Sequence, residues 1–147
     1  MRALSISLIV ASFLWPLVLG AATWELVEGH TPTWTGVVYA AASRVCHQRP
    51  ERSFHTAGIK WPVCGRCSGL YLSAPFGAVV AGLALRRRRV VPHQVAWLAL
   101  AAVPTAATLV VEWLGLAPVS NLARALSALP LGAMIAFVLV RTAAGES

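Results

Sequence analysis

Four long apolar runs constrain the fold of this chain more than any other feature. They cover residues 3–24, 68–85, 94–114 and 121–140. A helix needs about 20 apolar residues to cross a hydrocarbon core ~30 Å thick, so each run is long enough for one crossing. Inside a bilayer, only helices and closed barrels satisfy their backbone polar groups. The sequence therefore predicts an all-α integral membrane protein, a four-helix bundle that forms a single domain over residues 1–147.

The composition supports a membrane protein and argues against nucleic acid as a partner. Of the 147 residues, 58% are hydrophobic and 12% are charged, whereas soluble domains average about 45–50% and about 25%. The net charge is +7, but four of the twelve basic residues form one block between two apolar runs, residues 86–89. A nucleic-acid binder more often carries a broad basic face. The predicted partner is the lipid bilayer.

The arginine block predicts the orientation in the membrane. Short loops rich in Lys and Arg stay in the cytoplasm, which places the loop 86–93 and both termini there and the loop 25–67 outside the inner (plasma) membrane. The first run has a second interpretation as a cleaved signal peptide, with Arg2 as its charged start and Gly20-Ala21-Ala22 as the cleavage site. In both cases the segment that follows lies across the membrane from Arg2.

The loop 25–67 contains a pattern typical of a short amphipathic helix. Thr31-Pro32 resembles an N-cap with proline at the first helical position. Apolar side chains then recur at helical spacing, at Trp34, Val37, Val38, Ala41, Ala42 and Val45. We expect a helix over 32–45 that ends near Arg49, because Pro50 disfavours helical geometry in the residue before it. This helix would deliver Cys46 to a fixed position.

All three cysteines and two of the four histidines lie in the stretch 46–71. The pair Cys64-x-x-Cys67 can bring two thiolates to one ion at about 2.3 Å, and Cys46 supplies a third ligand. The fourth ligand is His47 or His55, and spacing does not choose between them. The sulfur-rich set favours zinc, with copper(I) and iron as alternatives.

Other interpretations of the thiols remain open. Three cysteines cannot all pair within the chain, but Cys64 and Cys67 could form a redox couple with Cys46 as the exchanging thiol, or all three could be unrelated buried thiols. The functional hypotheses are a metal-binding or transport-accessory module, a membrane thiol-disulfide oxidoreductase, and a structural subunit. The sequence contains no phosphate-binding loop and no HExxH motif, and only the oxidoreductase hypothesis makes the protein an enzyme.

A second group of polar residues lies at the facing ends of the last two runs. Charges inside a bilayer usually pair or line a cavity, and a hairpin of the two runs brings Glu112 and Arg124 to similar depth. The prediction is an ion pair that clamps the hairpin, or a polar pocket in which Arg124 holds an anion or Glu112 relays protons or binds a cation. Thr108 and Asn121 share the faces of these two residues, one helical turn away. Arg52 and Arg66 are predicted to support the loop.

Small residues run along the second apolar segment, at Gly69, Ala74, Gly77, Ala78, Ala81 and Gly82. Such residues let transmembrane helices approach closely, so this segment is predicted to be an inner helix. The same feature is compatible with a homo-oligomer or a membrane partner protein.

Two motifs in the thiol-containing stretch resemble a known family. They are Cys46-His47-Gln48-x-Pro50-x-Arg52-Ser53-Phe54 and Pro62-Val63-Cys64-x-Arg66-Cys67-x-Gly69-x-Tyr71. This pair, in this order, resembles the signature of the DUF2085 family of small predicted membrane proteins, and Ser120-Asn121-x-x-Arg124 with Gly132 is similar to its last helix. The chain departs from the family pattern at Ser73, Thr108 and Glu112. The resemblance implies an intact four-helix membrane unit and implies no activity.

Overall fold

The computed structural model describes residues 3–87 and 92–145. Its elements in chain order are α1 (Ala3–Val27), α2 (Thr33–Ser43), a 3-10 turn (Pro50–Arg52), β1 (Ser53–Thr56), β2 (Ile59–Cys64), α3 (Gly65–Arg86), α4 (Gln94–Trp113) and α5 (Asn121–Ala143). By length and composition, α1, α3, α4 and α5 can each cross a membrane. The predicted all-α membrane fold is confirmed, with one small two-stranded sheet in the loop.

Helices α3 and α5 form the centre of the bundle and approach each other at glycines. A Cβ atom on Gly69 would lie 2.1 Å from the carbonyl oxygen of Ala125, and one on Gly77 would lie 1.7 Å from that of Ala133. No side chain fits in such a space, so these positions require glycine. Helix α1 packs against both central helices, whereas α4 packs chiefly against α5 and has no buried residue.

Helix α2 is shorter than the sequence predicts. Pro32 precedes its first residue, and the helix ends at Ser43, about six residues before the predicted end near Arg49. The amides of Arg44 and Val45 donate to carbonyls three residues back, at 3.2 Å each, which tightens the last turn. The chain then leaves the helical direction and turns Cys46 into the protein, where it is buried.

A β-hairpin follows this turn, in a segment for which the sequence pattern predicts only a loop. Strands β1 and β2 are antiparallel, with His55 opposite Lys60 and Thr56 opposite Ile59. Ala57 and Gly58 connect them with φ angles of 48° and 80°. Positive φ at both central residues is the geometry of a tight two-residue hairpin turn. The hairpin leads directly into α3, so β2 fixes the position at which that helix begins.

The elements that are too short to span a membrane, α2 and the β-hairpin, lie at one end of the bundle, which we call the hairpin end. Here α1 and α4 end, α3 and α5 begin, and α2 and the hairpin lie between them. Arg86 and Arg87 lie at the opposite end, at the end of α3. Arg2 and residues 88–91, including the rest of the arginine block, lie outside the described residues. Which end faces the cytoplasm stays a prediction.

Candidate metal centre

The three cysteines meet at the hairpin end. The sulfur atoms of Cys46, Cys64 and Cys67 all lie within 4.8 Å of one another, and none is in a disulfide. Cys46 is buried, while Cys64 and Cys67 are partly exposed. The folding of the loop thus brings Cys46 next to Cys64, which lies eighteen positions later in the sequence.

Backbone hydrogen bonds hold this arrangement. The Cys46 amide donates to the carbonyl of Ala42 at 3.0 Å, which attaches it to the end of α2. Its sulfur accepts a hydrogen bond from the Cys64 amide at 3.2 Å. Cys64 precedes the first residue of α3, and Cys67 lies in the first turn of that helix. The two sulfurs of the CxxC pair therefore flank a helix N-terminus, which stabilises negative charge.

Apolar packing fixes the buried side of the cluster. Cys46 belongs to a core shared by α1, α2 and β2, formed with Leu19, Ala22, Val38, Ala42 and Val63. Trp15 and Tyr71 pack against this core and meet edge to face, with ring centroids 6.1 Å apart. On one side the thiols therefore pack against apolar side chains.

Three residues hold the segment after Cys46 in place. The Tyr39 hydroxyl donates to the carbonyl of Lys60 at 2.6 Å. The side-chain amide of Gln48 donates to the backbone carbonyl of Tyr39 at 2.7 Å, and the Lys60 ammonium donates to the backbone carbonyl of Gln48 at 2.9 Å. Gln48 has a φ of 49°, a strained value for a residue other than glycine. These contacts fix α2, the hairpin and the Cys46 segment relative to one another.

The structure does not bring either predicted histidine into the thiol group. Within the described residues, that group contains the three cysteines and no imidazole. His47 is exposed but lines the same cavity as the thiols. His55 is exposed on β1, opposite Lys60. Of the two candidates, His47 is the one that shares a cavity with the sulfurs.

Hydrogen bonding changes the acidity of one thiol. The Cys67 side chain hydrogen-bonds to the Cys64 sulfur and lowers the pKa of Cys64 from 9.0 to about 5, although partial burial opposes this shift. Backbone hydrogen bonds from Cys67 and Arg66 act in the same direction as the Cys67 side chain. At neutral pH the cluster therefore contains a thiolate, the form that binds metals and attacks disulfides.

An ion-pair group lies next to the thiols and joins three helices. The Glu112 carboxylate on α4 accepts hydrogen bonds from Arg66 on α3 and from Arg124 on α5, the latter at 3.0 Å to Nε. The three side chains are only 10–13% exposed. Arg66 also lies 3.5 Å from the Thr108 hydroxyl, which in turn contacts Ser127 at 3.2 Å.

Arg66 was predicted to support the loop, but it is part of α3 and bonds to α4. The sequence signal that could have revealed this contact is its place inside the CxxC pair, at the start of an apolar helix where a charge requires a partner. Ser127, on the face of Arg124, was also missed. Arg52 lies in the 3-10 turn before the hairpin, and its role in supporting the loop stays a prediction.

Asn121 connects the ion-pair group to the hairpin. Its side-chain amide donates to the carbonyl of Ser53 at 2.9 Å, and its oxygen accepts from Arg124 at 2.5 Å. Ser53 is fully buried, and its hydroxyl donates to the carbonyl of Arg49 at 2.9 Å. The start of α5 therefore holds the base of the hairpin, and with it the position of Cys64.

A polar cavity of about 440 Å³ opens beside the cluster. The three thiols line it, together with His47, Gln48, Val45, Trp113 and the four arginines Arg49, Arg52, Arg66 and Arg124. Three cysteine sulfurs at this separation suit a soft metal ion, because Zn²⁺ binds thiolates at about 2.3 Å in a tetrahedron. The cavity leaves room on the exposed side of the sulfurs for a fourth ligand.

Comparison with known proteins agrees with these features. The sequence profile of a family described as "Predicted membrane protein (DUF2085)" matches residues 46–138, which include the three cysteines and the ion-pair group. An uncharacterized protein of Methanocaldococcus jannaschii is 44% identical over 43 residues, covering 29% of this chain and 28% of the relative. An uncharacterized protein of Methanothermobacter thermautotrophicus is 53% identical over 30 residues, covering 20% and 27%.

Each alignment therefore spans little more than a quarter of the relative's own length. No solved structure matches the chain. The profile match, in contrast, extends from the first cysteine into the last helix and covers more than half of the sequence. On that match, this membrane protein with its cluster of three cysteines belongs to the DUF2085 family.

Proposed function

We propose that the protein is a membrane metal-binding module, and that Cys46, Cys64 and Cys67 hold one soft metal ion at the hairpin end. The observation that carries this proposal is the convergence of three sulfurs within 4.8 Å from two separate segments of the chain. Unrelated buried thiols have no reason to converge in this way. A helix N-terminus and a lowered pKa at Cys64 both favour the thiolate form that a metal needs.

Zinc is the metal that the donors favour. It accepts thiolate and imidazole ligands together and forms closed tetrahedral sites, while copper(I) and iron remain alternatives for the same sulfurs. His47 is our proposed fourth ligand, because it follows Cys46 directly and lines the cavity on which the sulfurs open. Zinc bound here would join the end of α2 to the start of α3.

The surrounding contacts suit a site that must stay rigid. Arg66 lies between Cys64 and Cys67 in the sequence and is held by Glu112. Hydrogen bonds that orient metal ligands raise metal affinity, and here the Cys64 amide donates to the sulfur of Cys46. A transport-accessory role, in which the hairpin end captures a metal or presents it to a membrane partner, is the broader function that we propose for such a module.

Elemental analysis with thiol counting tests the proposal. The purified wild-type protein and the Cys46→Ser and Cys64→Ser variants would be measured in parallel. We expect about one zinc per chain in the wild type, thiols that react only after chelation, and loss of the metal in both variants. A metal-free wild type, or equal metal content in all three proteins, would contradict a three-thiol site. A variant at exposed Glu28, Glu28→Gln, is the matched control for purification losses.

A second function has one specific observation in its favour, which is the lowered pKa of Cys64 in a CxxC pair. In a thiol-disulfide oxidoreductase, the Cys64 thiolate would attack a partner's disulfide and release one partner thiolate. Cys67 would then attack the mixed disulfide, releasing the second thiolate and leaving a Cys64–Cys67 disulfide, so that the partner gains two electrons. A purified protein with no metal and a reducible disulfide would support this function.

A further inference from the structure

The charges around the cavity beside the thiols are unusual, because every titratable side chain that lines it other than the cysteines is basic. Arg49, Arg52, Arg66 and Arg124 line it with His47, and no described carboxylate does. Glu51 and Glu112 instead line a neighbouring depression of about 510 Å³, which shares Arg52 and Arg124 with the cavity. The cavity is thus lined by basic side chains as well as by the sulfurs.

Glu112 neutralises only part of this charge. Its single carboxylate pairs with both Arg66 and Arg124. Arg49 and Arg52 have no side-chain hydrogen bond or ion pair within residues 3–87 and 92–145. In addition, the Nε atom of Arg66 is buried and has no hydrogen-bond partner in the same part of the chain. Buried donors without a partner are rare and indicate a missing ligand or solvent molecule.

A charge count shows what kind of ligand fits. Four guanidinium groups and one carboxylate leave +3. A Zn²⁺ ion with three thiolates would carry −1 and give +2, and the metal-free site with Cys64 as its one thiolate also carries +2. Guanidinium groups bind planar or tetrahedral oxoanions with paired hydrogen bonds. A volume of about 440 Å³ lies within the usual range of small-ligand sites, about 300–1,000 Å³.

We infer that this cavity is a binding site for a phosphate-type oxoanion, held chiefly by Arg49 and Arg52 with support from Arg66 and Arg124. Because the cavity lies where the membrane helices begin and end, the phosphate can come from solution or from a lipid headgroup; both offer the same chemistry to the arginines. The anion site shares this cavity with the proposed metal site but uses different donors, the nitrogen atoms of the arginines, so we expect it to persist when a sulfur is replaced.

The test is anion binding by the full chain in micelles of an uncharged maltoside detergent, which contains no phosphate, titrated calorimetrically with inorganic phosphate. Arg52→Gln is the main variant, because the Arg52 side chain makes no hydrogen bond or ion pair within the described residues, and Arg49→Gln is the second. Arg44→Gln is the matched control: it removes the same charge from an exposed residue that does not line the cavity. We expect saturable binding that weakens about tenfold or more in Arg52→Gln and Arg49→Gln and stays unchanged in Arg44→Gln.

A second arm distinguishes the sources of the phosphate. Native mass spectrometry of protein from nanodiscs that contain phosphatidylglycerol would show retained lipid in the wild type and loss of it in Arg52→Gln if the headgroup is the ligand. Failure of the wild type to bind in both arms would overturn the inference, as would equal losses in Arg52→Gln and Arg44→Gln. The Cys64→Ser variant separates the two proposals, because it should lose zinc and keep anion binding.

Discussion

Replacing Glu112 by glutamine tests whether one carboxylate holds α3, α4 and α5 together at the hairpin end. The Glu112→Gln change keeps the shape of the side chain and removes its charge. In the wild-type protein the Glu112 carboxylate accepts three hydrogen bonds from Arg66 and Arg124. The three side chains are 10–13% exposed. A glutamine offers one oxygen in place of two, and its amino group would face a guanidinium donor.

The expected cost follows from these contacts. Hydrogen bonds to charged groups are worth about 1.5–3 kcal/mol each, but the three bonds share one carboxylate and do not add. Breaking a buried ion pair from one side costs about 3–5 kcal/mol, because the partner charge stays buried and uncompensated. We therefore expect Glu112→Gln to lower the free energy of unfolding by about 3–5 kcal/mol. Since Arg66 lies between Cys64 and Cys67, zinc affinity should also fall about tenfold or more.

The free energy of unfolding can be measured by adding denaturing detergent to mixed micelles and following the fluorescence of the six tryptophans. The matched control is Glu28→Gln, the same chemical change at an exposed residue, which should leave stability unaltered. If Glu112→Gln were as stable as Glu28→Gln, the ion-pair group would not hold the helices. If its stability fell while zinc affinity stayed constant, the group would be a structural clamp without influence on the cysteines.

Three further predictions concern packing, thiol chemistry and the hairpin. A methyl group at Gly77 would lie 1.7 Å from a backbone oxygen of α5, whereas one at Gly20 would meet nothing within 4 Å. Gly77→Ala should therefore lower the free energy of unfolding by about 1–3 kcal/mol or more in the same assay. Equal stability of Gly77→Ala and the control Gly20→Ala would contradict the close helix contact. The pKa of Cys64 is lowered to about 5, and the thiolate is the form present above the pKa. After a chelator has removed any metal, the alkylation rate of Cys64 should therefore rise with pH through a midpoint near pH 5. A midpoint near the ordinary pKa of 9.0 would contradict the lowered pKa. Asn121→Ala leaves the buried carbonyl of Ser53 without its donor, and we expect faster hydrogen exchange in β1, measured by mass spectrometry, with unchanged exchange as the contradicting result.

The sequence predicts the membrane helices well, because their length and apolar character are local properties of the chain. Helix α4 illustrates this: its long apolar run alone indicates a crossing, although the helix has no buried residue. The convergence of Cys46 with Cys64 depends instead on where α2 ends, and a local pattern does not determine that point. The apolar stripe continues to Val45, while the helix ends at Ser43 because Cys46 has to turn toward the amide of Cys64.

Two further features, the hairpin and the contact of Arg66 with Glu112, could not be predicted from local sequence patterns. Residues 53–64 carry a two-residue turn between strand-forming side chains, but the segment is short, and its stability comes from packing on α1 and from the contact of Ser53 with Asn121. Arg66 falls within the predicted loop 25–67 because the second apolar run begins at residue 68, whereas α3 begins at Gly65. Its contact with Glu112 depends on how α3 and α4 pack against α5, and the spacing of residues in the sequence does not determine that packing.

X-ray absorption at the zinc edge of the purified wild-type protein measures the central claim most directly, because it counts the sulfur ligands of the bound ion. We predict a first shell with three sulfur atoms at about 2.3 Å and one lighter ligand, and a change to two sulfurs or loss of the metal in Cys46→Ser. A shell of oxygen and nitrogen atoms alone, or a spectrum that is the same in the wild type and Cys46→Ser, would contradict a metal centre built from Cys46, Cys64 and Cys67.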